Sequence, residues 1–170
     1  MKKLCLILSL TLILFFMVGC QDKEAMAELE AMKAQAEVEE QNKELVKRYL
    51  KGADSYNMDS FDEVCSADCK FYFPGSFDPI NLEQFKQMVA GFYEAFEDMT
   101  HRLDDIIADG DKVLARTTNS VVHTKEFNGI APTGNTIWLG ELHFFRISEG
   151  KIVELWVQED FLWMWQQLGM

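Results

Sequence analysis

The chain has 170 residues, with 16 Lys and Arg against 28 Asp and Glu and a formal charge of −12. That length suits one modest domain with extensions. The acidic balance argues against nucleic acid or an anionic membrane surface as the main partner, because phosphates are repelled, and 48% hydrophobic content with 13 Phe and 4 Trp excludes a disordered chain.

The first segment reads as an address. Met1-Lys2-Lys3 is a basic start, followed by an apolar run from Leu4 to Val18 that is too short for a comfortable transmembrane helix. Residues 1–19 are therefore expected to be a signal peptide. The run stops at Val18-Gly19-Cys20. A small residue before Cys resembles the bacterial lipobox, in which Cys20 is lipidated and becomes the mature N-terminus. The alternative is a plain secretory signal or an anchor helix with an incidental Cys. Lipidation implies a place in the cell envelope, outside the cytoplasm, held to a membrane through the N-terminal lipid. Gln21 is not the Asp that retains lipoproteins at the inner membrane, which favours the outer membrane in a Gram-negative source. Loss of Lys2 and Lys3 with the leader makes the remainder more acidic still.

Residues 20–40 read as a helical stalk or linker, rich in Ala, Glu, Lys, Gln and Met. The apolar face Leu45, Val46, Tyr49 and Leu50 places the start of the folded domain, 41–170, near Gln41. A short helix follows Gly52 at Asp59–Val64, then a strand at Cys69–Phe73. Cys65 and Cys69 are either a disulfide or two small buried thiols, and no His stands at ligand spacing from them, so no metal site is expected. Asn81 with Gln84 is a capping box. It opens a helix whose apolar face carries Phe85, Met88, Val89, Phe92, Tyr93 and Phe96. Strands are expected near 101–108, 112–124, 135–147 and 151–159, with turns at Asp109-Gly110-Asp111, Ala131-Pro132-Thr133-Gly134 and Ser148-Glu149-Gly150. A last apolar helix runs from Phe161 to Leu168. Helices followed by a meander of long strands give an α+β fold, with a curved antiparallel sheet, helices on its concave face and one apolar pocket.

Several segments together resemble the SnoaL-like polyketide cyclases, or ester cyclases, of the nuclear-transport-factor-2-like superfamily. They are Ala95-Phe96-Glu97-Asp98, the strand Ala108 to Arg116, the stretch His123 to Gly134 with its Pro-Thr-Gly turn, Phe145-Arg146, Gly150 to Trp156, Asp160, and Gln167-Leu168-Gly169. The likeness covers roughly 42–169. It implies a cone-shaped α+β fold whose characterised members close a ring in a polyketide ester by an intramolecular aldol step. They do so with an acidic side chain as base and without metal or cofactor. It also implies a small hydrophobic carbonyl compound as ligand, with isomerisation or dehydration as related chemistries. The superfamily includes plain binding domains, so a non-catalytic ligand-binding lipoprotein and a protein-interaction module are the rival readings.

Strand parity selects the candidate residues. Glu141 and His143 share the apolar face of Ile137, Leu139, Phe145 and Ile147, where two ionisable groups are costly unless paired or set in a cavity. They are expected either to position a substrate in the pocket or to form a core or surface ion pair. Ile152, Glu154, Trp156, Gln158 and Asp160 share one parity of the last strand. From this set Asp160 is expected as the catalytic base, beside an aromatic wall at Trp156 that would raise its pKa. Asp160 is equally placed to cap the last helix. The resemblance implies a further slot for the acid, two residues after the Trp, which here holds Gln158; if that is the functional slot, the base is missing and the domain only binds. Tyr72, Phe92, Phe96, Arg116 and His123 are expected to complete the pocket, although the spacing of Arg116 and His123 puts them on opposite faces. His101 is expected to be exposed. Trp138, Leu142 and Phe144 make the other face of their strand apolar, which points to a homodimer. Replacing Cys20 with Ser should release the protein from isolated membranes into the soluble fraction. Tight membrane association of that variant would contradict lipid anchoring.

Overall fold

The computed structural model describes the backbone from residue 2 and the side chains from residue 23 onward. The expected signal peptide and Cys20 lie outside the residues with described side chains. Two compact units divide the chain, Met1–Val38 and Glu39–Met170. Helix α1 (Lys2–Asp54) carries exposed side chains at 23–38, and its last four turns carry the domain's first apolar face. Leu45, Val46, Tyr49, Leu50 and Ala53 recur at helical spacing and are all buried. The opposite face is solvated and holds Lys43–Glu40 and Lys47–Glu44 pairs.

Within the second unit follow α2 (Asp59–Val64), β1 (Cys65–Tyr72) and α3 (Leu82–Ala95). The sheet continues with β2 (Phe96–Asp109), β3 (Lys112–His123), β4 (Thr136–Ser148) and β5 (Lys151–Glu159), and α4 (Phe161–Gln167) ends the fold. Gly52 lets α2 approach α1 closely, since a Cβ there would stand 2.6 Å from Ser60 Oγ. The capping box of α3 is formed in both directions: Asn81 accepts from Gln84 N, and Gln84 Oε1 accepts from Asn81 N.

The five strands form one unclosed sheet in the order β1-β5-β4-β3-β2, with the helices on one side. The α+β expectation therefore holds, but the sheet is mixed rather than antiparallel. β1 lies parallel to β5, reached through a long crossover that contains α3 and three strands. Its Phe71 stacks on Phe85 of α3 with ring centroids 4.1 Å apart, fastening helix to sheet. Cys65 and Cys69 are free buried thiols.

Register slips in two strands decide which side chains face the helices. In β2 the register slips between Glu97 and Thr100 and again between Leu103 and Asp105. In β5 it slips beside Arg146 and Ile147: Ile152 pairs with Ile147, Glu154 pairs with Arg146, and Val153 is the extra residue. One extra residue reverses the parity of everything after it. From Glu154 onward, Leu155, Val157 and Glu159 face inward, while Trp156 and Gln158 face outward.

Candidate functional site

The helices and the inner face of the sheet enclose a cavity of about 660 Å³, within the range usual for small-molecule sites. Its walls are mainly apolar, with aromatic rings that include Tyr49, Phe61, Phe85, Phe92, Phe127 and Trp165. Glu126 and Asn128 line it from the connection between β3 and β4, and a polar cluster converges on the sheet side: His101 from β2, Asn119 from β3, Glu141 and His143 from β4, and Glu159 from β5. Each member of the cluster is placed by inward parity on its own strand.

Glu141 is held as an anion. Thr117 Oγ1 donates to its Oε2 at 2.8 Å, His143 Nε2 lies 3.0 Å from the same oxygen, and Asn119 Nδ2 donates to Oε1 at 3.1 Å. His101 Nε2 stands 3.5 Å from Oε2, at ion-pair distance. Burial works against the charge of Glu141, but the His143 hydrogen bond, the two imidazoles and Thr117 outweigh it and hold the carboxyl below its usual value. A carboxylate so fully engaged is a fixed charge, with little capacity left to accept a substrate proton.

Glu159 is its opposite in both place and character. It pairs directly with Glu141 across β4 and β5, and both point into the cavity. No hydrogen bond to Glu159 is found among the described residues. Burial and the neighbouring Glu141 charge push its pKa up to about 7, against a smaller opposing pull from His101. A carboxyl that titrates near neutrality in an apolar cavity is well placed to move protons.

The third group is His101. Its ring Nδ1 lies 2.6 Å from Asp54 Oδ1, and its backbone N–H donates to both Asp54 oxygens at 3.0 and 3.2 Å. Burial opposes its protonation, yet the Asp54 hydrogen bond and the charges of Glu141, Asp54 and Glu159 together raise its pKa. The expectation of an exposed His101 is thus corrected: its side chain is only 7% exposed. β2 begins at Phe96, five residues earlier than expected, so His101 lies within the strand, and the slip between Glu97 and Thr100 aims the ring inward.

The remaining site expectations divide cleanly. Glu141, His143 and Phe92 line the cavity. Asp160 does not: it is exposed, and its Oδ1 accepts from Trp163 N at 2.9 Å as the N-cap of α4. Trp156 and Gln158 are on the outer face, turned there by the Val153 bulge. Trp156 stacks on Tyr72 of β1 at 3.7 Å, which takes Tyr72 out of the pocket as well. Arg116 is also outside, paired with Asp104 and Asp105. His123 and Phe96 are fully buried behind the wall, where Phe96 stacks on Phe92. Trp138, Leu142 and Phe144 are exposed on the outer face of β4. Glu159, Asp54, Thr117 and Asn119 were not singled out in the sequence. The inward series Leu155, Val157 carried a signal for Glu159, since the next residue of that parity is the acid. Among the described residues no group of three His, Cys, Asp or Glu side chains is set to hold a metal ion.

A family model described as SnoaL-like polyketide cyclase matches residues 43–168. The chain belongs to this family. Among solved structures, IdmH of Streptomyces antibioticus is 26% identical with a TM-score of 0.71, and the match covers 76% of this chain and 99% of IdmH. A SnoaL-like polyketide cyclase of Agrobacterium tumefaciens shares the fold at 16% identity and a TM-score of 0.63, over 75% of this chain and 98% of the other. An LEH-like epoxide hydrolase of M. tuberculosis does so at 16% identity and 0.61, over 76% and 90%. No match was found among curated proteins.

In the folded SnoaL-like domain Glu159 binds its proton more tightly than in the unfolded chain. Its contribution to stability is present below the ordinary carboxyl value and is lost as pH rises through about 7. Glu159→Gln should therefore change stability little at pH 5 and raise it by about 2–3 kcal/mol at pH 8, measured by urea unfolding. Equal effects at the two pH values would contradict the assignment.

Proposed function

We propose that the cavity binds a small, uncharged, hydrophobic carbonyl compound and moves a proton at the carbon beside the carbonyl. Glu159 is the base, and the reaction is an aldol-type cyclisation or an isomerisation. The observation that carries this reading is the pairing of Glu141 with Glu159 inside an apolar cavity. A general base works best when its pKa lies near the working pH. Burial, and after it the charge of the engaged Glu141, provides that condition for Glu159. Among the described residues, the lining includes Glu126, Glu141 and Glu159 and no Lys or Arg. A ligand carrying its own carboxylate or phosphate would be repelled, whereas a neutral ketone or ester would not. Membership of a family of polyketide cyclases supports the same chemistry.

The leader and Cys20 support a place in the cell envelope, with the domain tethered by lipid. There the ligand would be a compound met outside the cytoplasm.

The probe 5-nitrobenzisoxazole tests the base without knowledge of the natural ligand. It is a flat, neutral aromatic that opens to a coloured phenolate when a base removes its C3 proton. The wild-type protein should open it with a rate that rises through pH 7 and levels off above. Glu159→Gln should lower kcat/KM by about 100-fold or more, and Asp160→Asn should leave it within about twofold. An unaltered rate in Glu159→Gln would overturn the assignment. Tight binding of the probe by the wild type with no turnover would favour a pure binding domain.

A further inference from the structure

A base that strips a proton from carbon leaves negative charge on the substrate's oxygen, and a buried cavity must meet that charge. Glu141 cannot, because it is itself an anion held by three donors. His143 directs Nε2 at Glu141, leaving Nδ1 buried and unpartnered. Asn119 directs its Nδ2 at Glu141 too. His101 remains. Its Nδ1 is committed to Asp54 at 2.6 Å, so its Nε2 is the ring atom free to turn toward the cavity. Nε2 also stands at the longest polar contact of the cluster, 3.5 Å from Glu141, too long for a strong hydrogen bond.

We propose that His101, aimed by Asp54, is the second proton-carrying residue of the cavity and gives a proton to substrate oxygen while Glu159 takes one from carbon. The inference rests on the reading of Glu159 as base. In the forward step the C–H bond breaks, its electron pair forms the new C=C of an enol, and the carbonyl oxygen gains the proton from His101 Nε2. Glu159 ends protonated and His101 neutral. No electron is gained or lost, and one proton enters the substrate as one leaves. Asp54 touches no substrate. It is a positioning residue at the C-terminus of α1, fixing the ring by its carboxylate and the backbone of the same residue by two further hydrogen bonds.

The arrangement explains why the site needs two fixed anions. The titratable and charged groups facing His101 are Asp54 from α1, Glu141 and His143 from β4, and Glu159 from β5. Burial alone would strip the proton from the imidazole, and Asp54 and Glu141 keep it there. As Glu159 becomes ionised it also favours the protonated His101, so the reactive pairing of an ionised Glu159 with a charged imidazole is self-consistent.

The test compares two probes on the full chain. Unsubstituted benzisoxazole releases a more basic phenolate than its 5-nitro analogue, so its opening depends more on a proton donor at the departing oxygen. With C3–H cleavage by Glu159 common to both, His101→Gln should lower kcat/KM about 100-fold for the unsubstituted probe and less than about threefold for the nitro probe. Asp54→Asn should show the same bias at about tenfold. It should also move the alkaline limb of the pH profile to lower pH, since the imidazole loses its proton more readily. Equal losses on both probes would mean that His101 and Asp54 are merely structural, and would overturn the proposal. If Glu159→Gln fails to slow the nitro probe, the base assignment fails instead, whatever the bias.

Nitrogen-15 NMR of the imidazoles provides an arm independent of turnover. The wild-type His101 should keep protons on both ring nitrogens to a higher pH than the same ring in Asp54→Asn. A neutral His101 in the wild type would overturn the proposal even with an active protein.

Discussion

Two carboxylates face each other across β4 and β5 in one apolar cavity, and the rest of the site follows from how that conflict is resolved. Two bare anions directly opposite each other on a strand pair repel, and burial sharpens the repulsion. The fold resolves it by treating the partners unequally. Glu141 receives Thr117, Asn119 and His143 and faces His101, so its charge is stabilised. Glu159 receives none of these and holds its proton to about pH 7. The asymmetry originates in β3 and β4, whose polar inward residues cluster beside Glu141 and leave the β5 side bare. Asp54 extends the same network to α1, so the helix that starts the domain ends on the site.

Much of the architecture was legible in the sequence because local rules agreed with the final packing. The capping box at Asn81 and Gln84 starts α3 where it should. The face Leu45, Val46, Tyr49 and Leu50 is the core face of α1. Strict alternation along β4 put Glu141 and His143 together in the cavity, because β4 runs with no slip past β3. The segments that suggested the family also held, and the match to 43–168 agrees closely with the stretch in which they occur.

The illegible part has one dominant cause. A β-bulge has no reliable mark in sequence, and each one reverses the faces that follow it. In β5 the extra residue Val153 moved Trp156 and Gln158 to the outer face and brought Glu159 in. The acid next in sequence, Asp160, was freed to cap α4. In β2 the early start at Phe96 and the slip between Glu97 and Thr100 turned His101 inward. Asp54 was hidden for a different reason: it meets His101 across 47 positions of chain, a contact that only the tertiary fold creates. The stack of Tyr72 on Trp156 is of the same kind, since β1 and β5 pair in parallel from distant parts of the chain. The apolar pocket was therefore expected with Phe92 of α3 rightly on its wall, but with an aromatic wall at Trp156 and an acid at Asp160 that both lie outside it, where Glu159 points in.

The most direct measurement of the central claim is a carbon-13 NMR titration of the side-chain carboxyls in the full-length protein, with Glu159 assigned by its loss in Glu159→Gln. The account predicts that the Glu159 carboxyl titrates with a midpoint near 7, while Glu141 stays ionised below the usual carboxylate value. A Glu159 midpoint near 4.5, the ordinary value for a glutamate, would contradict the account.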